Sequence, residues 1–170
     1  MQLSPLLVPP LHEVYSIQGT YSYYIAELIP QRQHTGRNTP LAHAYAAIIR
    51  AMAAHSVKRL ICLGTASIKD PNDRFSTAFW AMVNTVKMFA YNAYKDVVAI
   101  GETVRAEKEL IWTIARVPVL TSGDDTGLNV GYIGDKNIGT SLNRAAYAAF
   151  VVRELEKNDW ARKAPMIASA

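Results

Sequence analysis

The chain predicts an α/β fold built on a parallel sheet. Arg59-Leu60-Ile61-Cys62-Leu63 is a short apolar run that ends in the small and hydroxylated residues Gly64-Thr65-Ala66-Ser67. Ile111-Trp112-Thr113-Ile114-Ala115-Arg116-Val117-Pro118 repeats the pattern further along. Continuous apolar runs of this length suit strands covered on both faces. The residues between them carry helical spacing, so the two runs and their connection describe a βαβ unit. In such sheets ligands bind outside the carboxyl ends of the strands. Gly64 to Ser67 and Pro118 to Thr121 are therefore expected to face one crevice.

Each element follows in order. Residues 1–38 read as an irregular leader, punctuated by Pro9-Pro10, Gly19 and Pro30, with Tyr21, Tyr23 and Tyr24 either in a short strand or in nothing regular. Residues 39–170 read as one α/β domain. Thr39 suits an N-cap and Pro40 the first helical position. Leu41 to His55 is helical by the spacing of Tyr45, Ile48, Ile49 and Met52, and Ser56-Val57-Lys58 links it to the first strand. Lys69-Asp70-Pro71-Asn72-Asp73 is a loop by composition. Helices are expected over Phe75–Phe89 and Asn92–Glu107. The second strand stops at Pro118, which cannot donate to a ladder. Thr121 to Gly127 is a loop. Short strands are expected at Val130–Ile133 and Ile138–Thr140, around a turn at Gly134–Asn137. A helix over Leu142–Glu156, with Ser141 or Asn143 near its cap, and a strand within Lys163–Ser169 complete the chain.

Composition narrows the function. Half of the 170 residues are hydrophobic and 19% are charged, which argues for one folded domain. The net charge of +4 is carried by scattered Lys and Arg rather than by a basic stripe, so no nucleic-acid partner is expected. A weak attraction for anionic cofactors fits the sign better. Cys62 is the only cysteine and falls in an apolar strand, where it reads as a small core residue in a reducing, cytoplasmic setting. The apolar stretch from Phe75 to Tyr91 is interrupted by Asn84 and Lys87 and is short for a membrane span. His12, His34, His43 and His55 lack metal-binding spacing, and no metal site is expected.

Tyr91-Asn92-Ala93-Tyr94-Lys95 contains Tyr-x-x-x-Lys. On a continuous helix the first and last of these lie one turn apart on one face. An adjacent ammonium favours phenolate over phenol, which is how a tyrosine serves as a general acid or base. Ser67, at the end of the preceding strand, is placed to orient a substrate carbonyl. The ordinary alternative is an interface tyrosine beside a solvated lysine. Ser67 lacks a G-x-S-x-G elbow, which removes support for a hydrolase. Arg116, inside a strand, needs a partner: either a carboxylate of the fold or an anionic ligand at the strand end. Phe75, Phe79, Trp80, Met88 and Phe89 read as core, as a dimer face or as the wall of a flat ligand pocket. No G-x-G-x-x-G is present, and the glycines from Gly123 to Gly139 read as turn residues.

Taken together, several segments resemble the atypical short-chain dehydrogenase/reductases, the NmrA-like and flavin-reductase-like NAD(P)-binding proteins. They are Ser56-Val57-Lys58-Arg59-Leu60-Ile61 with Gly64-Thr65-Ala66-Ser67, Ala93-Tyr94-Lys95-Asp96-Val97-Val98 leading to Glu102, Trp112 to Pro118, and Ser141-Leu142-Asn143-Arg144. The resemblance covers residues 39 to 169. It implies that residues 39–170 are a partial NAD(P)-binding-like α/β domain, a Rossmann-like parallel sheet incomplete at the N-terminal half, with an NAD(P) site that has Gly64, Thr65, Ala66, Val117, Pro118 and Val119 near the cofactor and Ser67, Tyr91, Tyr94 and Lys95 as catalytic candidates. Counting back from Glu102 places the family tyrosine on Tyr94 and its lysine on Val98; the literal motif keeps Tyr91 and Lys95. The position two residues after Arg144, often acidic in the family, is Ala146.

The family's opening strands and glycine-rich loop find no counterpart in residues 1–38. The chain thus reads as the C-terminal portion of the family fold. Three readings follow: an NAD(P)-dependent oxidoreductase acting on a small organic substrate, in the manner of secondary-metabolism tailoring proteins; a truncated, non-catalytic remnant that binds a partner chain or small ligand; or a gene-prediction error at the N-terminus. A homo-oligomer or partner chain covering the exposed sheet edge is a further expectation.

Overall fold

The structure is a computed structural model and describes residues 39–170. The expected tyrosine strand near residue 21, together with His12 and His34, lies outside the described residues.

The elements run α1 (Pro40–Ala54), β1 (Arg59–Thr65), α2 (Thr77–Phe89), α3 (Tyr91–Ala106), β2 (Ile111–Val117), β3 (Val119–Thr121), β4 (Leu128–Gly131), β5 (Ser141–Asn143), α4 (Arg144–Lys157) and β6 (Met166–Ser169). The main sheet has the order β1-β2-β6-β4. β1 and β2 pair in parallel from Arg59↔Ile111 to Thr65↔Val117, so the two strands end side by side. β6 joins β2 in parallel, and β4 closes the sheet antiparallel to β6. β3 and β5 form a separate parallel pair.

Side chains alternate across a strand, and β2 distributes its residues between two cores accordingly. Trp112 and Ile114 pack with Ala42 and Ile49 of α1 and Ile100 and Val104 of α3. Ala115 and Val117 pack on the other face with Ala146, Tyr147 and Phe150 of α4. The sheet is therefore covered on both faces, which is why β2 reads as an unbroken apolar run. Full burial of Phe150 contributes about 1.5–3 kcal/mol.

Two polar groups tie the layers together. Thr39 occupies the N-cap position of α1, but its side chain makes no capping bond. The cap comes from α3 instead: the Asp96 carboxylate accepts hydrogen bonds from the Leu41 and Ala42 amides, at 3.0 and 2.9 Å. A carboxylate on the first free amides of a helix also meets the positive end of its dipole. At the other end of the sheet, Glu154 of α4 accepts from Arg59 (2.7 Å) and from the Trp160 amide (3.1 Å).

Several expected boundaries move. Ile138–Thr140 is not a strand. The Ile138 amide is drawn into a turn by the Asp135 carbonyl, at 3.1 Å, and the extended segment falls on Ser141–Asn143. Ser141 is thus a strand residue, and Asn143 takes the N-cap position of α4. β4 ends at Gly131 rather than Ile133, because the Asp135 and Asp73 carboxylates capture the Tyr132 and Ile133 amides. α2 starts at Thr77, two residues after Phe75, which stays outside the helix and exposed.

Candidate functional site

The site is built around the carboxyl end of β1. There the chain turns sharply. The Thr65 hydroxyl accepts from the Ser67 amide (3.2 Å), and the Thr65 carbonyl accepts from the Ile68 amide (3.0 Å). The turn drives Ile68 into the core between two glycines. A Cβ on Gly101 would lie 2.7 Å from Ile68 Cγ2, and one on Gly64 would lie 3.0 Å from Ile68 Cδ1 and 2.6 Å from Ile114 Cγ2. Gly64 therefore serves close packing of the strand end. Ser67 and Ala66 follow, both buried.

The loop beyond Ile68 is held by Arg116. Its guanidinium is fully buried, and each of its three nitrogens has a partner. Nε donates to the Ala164 carbonyl at 2.7 Å, Nη1 to the Ile68 carbonyl at 2.8 Å, and both Nη atoms to the Asp73 carboxylate at 2.7 Å. Asp73 in turn accepts from the Asp70 and Ile133 amides, at 2.8 and 3.1 Å. Burial raises the Asp73 pKa, but the Arg116 guanidinium and these amides outweigh it and hold the carboxyl below the usual carboxylate range. Of the two partners open to Arg116 in the sequence, the structure supplies a carboxylate of the fold.

Over this loop lies an open cleft of about 470 Å³. Ala66 and Ser67 after β1, Phe75 and Ser76 before α2, Phe79, Trp80, Val83, Asn84 and Lys87 of α2, Tyr94 of α3 and Ile133 line it. Lys69, Asp70, Asp73 and Arg74 bring charge to its edge.

The cleft gathers some of the residues singled out in the sequence. Ser67, Ala66 and Tyr94 line it, as do Phe75, Phe79 and Trp80. Thr65 lies just beneath, through its bond to Ser67. Val117, Pro118 and Val119 do not line it. Val117 is buried in the α4-side core, and Val119 is exposed and paired with Ser141 in the small sheet. Met88 and Phe89 point to solvent.

The Tyr-x-x-x-Lys residues are sorted in the same way. Lys95 Nζ sits 5.7 Å from the Tyr91 ring centroid, and that pair lies outside the cleft lining. The Tyr94 ring, stacked on Tyr91 at 6.3 Å, is the one in the cleft. Its cation comes from α2: Lys87 Nζ lies 5.7 Å from the Tyr94 ring centroid. Val98, one turn beyond Tyr94, is partly buried and packs no cation there. Sequence reasoning missed Lys87, which reads only as a break in an apolar helix, and Asp73, which reads only as loop.

Chemically, the cleft offers aromatic side chains, the hydroxyls of Ser67 and Ser76 and the phenol of Tyr94. It suits a planar ring and a carbonyl-sized polar group. Among the described residues no group of His, Cys, Asp and Glu is placed to hold a metal ion, and no helix is long and apolar enough to cross a membrane.

Comparison with known proteins agrees with the fold. Solved structures share the fold. A short-chain dehydrogenase/reductase from Veillonella parvula DSM 2008 superposes with a TM-score of 0.61 at 17% identity, covering 75% of this chain and 58% of that one. The same organism's short-chain dehydrogenase/reductase in complex with NADP gives 0.60 at 15%, with the same coverages. The oxidoreductase ylbE from Lactococcus lactis gives 0.56 at 18%, covering 74% and 52%. The chain thus spans somewhat more than half the length of these structures. No curated protein matches by sequence. The family described as NAD(P)H-binding matches residues 24–158, which is most of the chain and begins within the segment read as a leader. With that match and the Rossmann-like sheet, the chain belongs to the NAD(P)H-binding family.

Proposed function

We propose that this chain forms the nicotinamide and substrate side of an NAD(P)-dependent oxidoreductase acting on a small organic molecule. The supporting observation is the cleft at the carboxyl end of β1, whose lining includes both Ser67 and Tyr94 along with aromatic side chains. Ligands of open α/β sheets bind at strand ends of this kind.

The residues fit one end of the dinucleotide. Phe79, Trp80 and Tyr94 suit a nicotinamide ring or a planar substrate stacked on it. A diphosphate cradle needs glycines that leave helix N-terminal amides free. Among the described residues none serves this way: Gly64 and Gly101 pack on Ile68, and Gly134 occupies a turn at φ +90°.

The bound cofactor supplies or accepts the hydride. The protein's part is acid–base and positional. The Tyr94 hydroxyl donates its proton to the substrate oxygen during reduction and recovers it from solvent. The Ser67 hydroxyl donates a hydrogen bond to the same oxygen and fixes its direction. Aromatic walls exclude water from the ring face. Tyr91 and Lys95, paired outside the cleft, take no part. Secondary-metabolite tailoring, carried only by the family resemblance, remains the finer form of this proposal. A cytoplasmic setting is supported by the buried, unpaired Cys62 thiol.

The test is calorimetric titration with NADH and NADPH, followed by turnover on a panel of small carbonyl compounds. Binding with a rise in melting temperature is expected, and Tyr94→Phe should lower turnover by about 10²–10⁴-fold while Tyr91→Phe leaves it unchanged. Absence of binding at millimolar cofactor overturns the reading. That result would favour the non-catalytic alternative, a remnant that binds a partner chain or small ligand. The exposure of Phe75, Met88 and Phe89 is the observation behind it.

A further inference from the structure

The charges around the cleft are unequally matched. Asp73 is neutralised by Arg116 and Asp70 by Arg105, at 2.7 and 3.4 Å. Arg74 pairs with Asp135. Two ammonium groups are left over: among the described residues neither Lys69 nor Lys87 forms an ion pair, and both line the cleft. Every carboxylate of the lining is spoken for; two of its cations are not. The Lys87 Nζ also rests 5.7 Å from the centroid of the Tyr94 ring. A cation held over one aromatic wall, with Trp80 also in the lining, favours a ligand that is planar and negatively charged.

We propose that the cleft selects a planar aromatic or conjugated anion, a carboxylate above all, with Lys87 as the specificity-determining residue and Lys69 as a second anchor. This rests on the reading of the cleft as a substrate site and narrows its substrate class. The ring of the ligand lies against Trp80, and its anionic group meets the Lys87 ammonium beside Tyr94. The same charge could instead serve a phosphate of the cofactor, and the experiment separates these two sources.

The protein would be titrated calorimetrically with 2-naphthoate and with the neutral 2-naphthamide, each with and without saturating NADPH. Lys87→Ala and Lys87→Met would be titrated alongside, both at an exposed helical position that the fold does not need. Naphthoate should bind on the order of fivefold more tightly than naphthamide. Both Lys87 variants should bring it down to the amide's affinity, and rising salt should do the same. Saturating NADPH should leave naphthoate binding in place. Equal binding of acid and amide overturns the proposal, as does binding of neither. Competition by NADPH, with Lys87→Ala weakening NADPH as well, assigns the charge to the cofactor and also overturns it. Naphthoate binding in a protein that takes up no NADPH would leave this proposal standing and remove the oxidoreductase reading beneath it.

Discussion

Arg116 and Asp73 are 43 residues apart in sequence and face each other as a two-pronged pair, with both Nη–Oδ distances at 2.7 Å. The guanidinium is fully buried, and the carboxylate is 16% exposed. The pair joins the central strand β2 to the loop that floors the cleft. Removing one partner leaves a charge buried without compensation, which costs about 3–5 kcal/mol. Asp73→Ala should therefore destabilise the domain by about that amount in urea unfolding. Arg116→Lys should lose most of the stabilisation as well, because an ammonium cannot reproduce the fork. The double variant Arg116→Met/Asp73→Ala should recover part of the loss.

The same pair sets an acid limit. The Asp73 pKa is depressed in the folded state. A depressed carboxyl contributes stability above its unfolded value, about 3.9, and loses it as pH falls through the folded value. Stability should thus be constant in this respect from neutral pH down to about pH 4 and drop below it. Asp73→Asn should flatten that part of the profile, as read by urea midpoints from pH 7 to pH 2.5. An unchanged slope in the variant would show that other carboxyls dominate.

Asp96 tests a different joint. It is 1% exposed, and both its oxygens serve the α1 N-terminus. Losing a helix cap costs about 0.5–2 kcal/mol. Asp96→Ala should cost at least the upper end of that range, since two buried amides lose their acceptor. Asp96→Asn keeps one acceptor oxygen and should cost less. Hydrogen exchange at the Leu41 and Ala42 amides should speed up in the alanine variant.

How much of this was legible in advance follows from the range of each interaction. The bounds of β2 could be read to the residue because an apolar run and Pro118 are local signals. The parallel pairing of β1 with β2 followed from the helical spacer between them. The partner of Arg116 could be narrowed to a class but not to Asp73, because an acidic loop residue looks the same whether solvated or buried. Tyr91 and Tyr94 are three residues apart and nearly share a helix face. Only the position of α2 decides which one enters the cleft, and that is tertiary information. Ile138–Thr140 has the composition of a strand, but a turn around Asp135 overrides it. Lys87 reaches Tyr94 from another helix, so no motif spacing could have announced it.

Gly101 is a packing residue whose role is open to direct measurement. A methyl group there would meet Ile68 Cγ2 at 2.7 Å, on a branched side chain already 2% exposed. Overpacking of this kind costs about 1–3 kcal/mol. Gly101→Ala should destabilise by that amount, even though alanine favours a helix by about 1 kcal/mol over glycine. Gly101→Ala/Ile68→Ala should be less than additive, because the second change empties the space the first one needs.

Cys62 sits in β1 at 1% exposure. Burial pushes its thiol up to about 12, and the small opposing effects of a backbone hydrogen bond and of Arg105 do not reverse this. Reaction needs the thiolate and access to it, and the folded state withholds both. A thiol reagent such as dithionitrobenzoate should leave the native protein unmodified at pH 8 and label one thiol per chain in 6 M guanidinium. Because modification must await opening of β1, the labelling rate in low denaturant should follow the population of the open state. Asp73→Ala, which loosens the loop after β1, should raise that rate about tenfold for each 1.4 kcal/mol of stability lost. Fast labelling of the native wild-type chain would mean that β1 opens without global unfolding, and that the cleft floor it supports is correspondingly mobile.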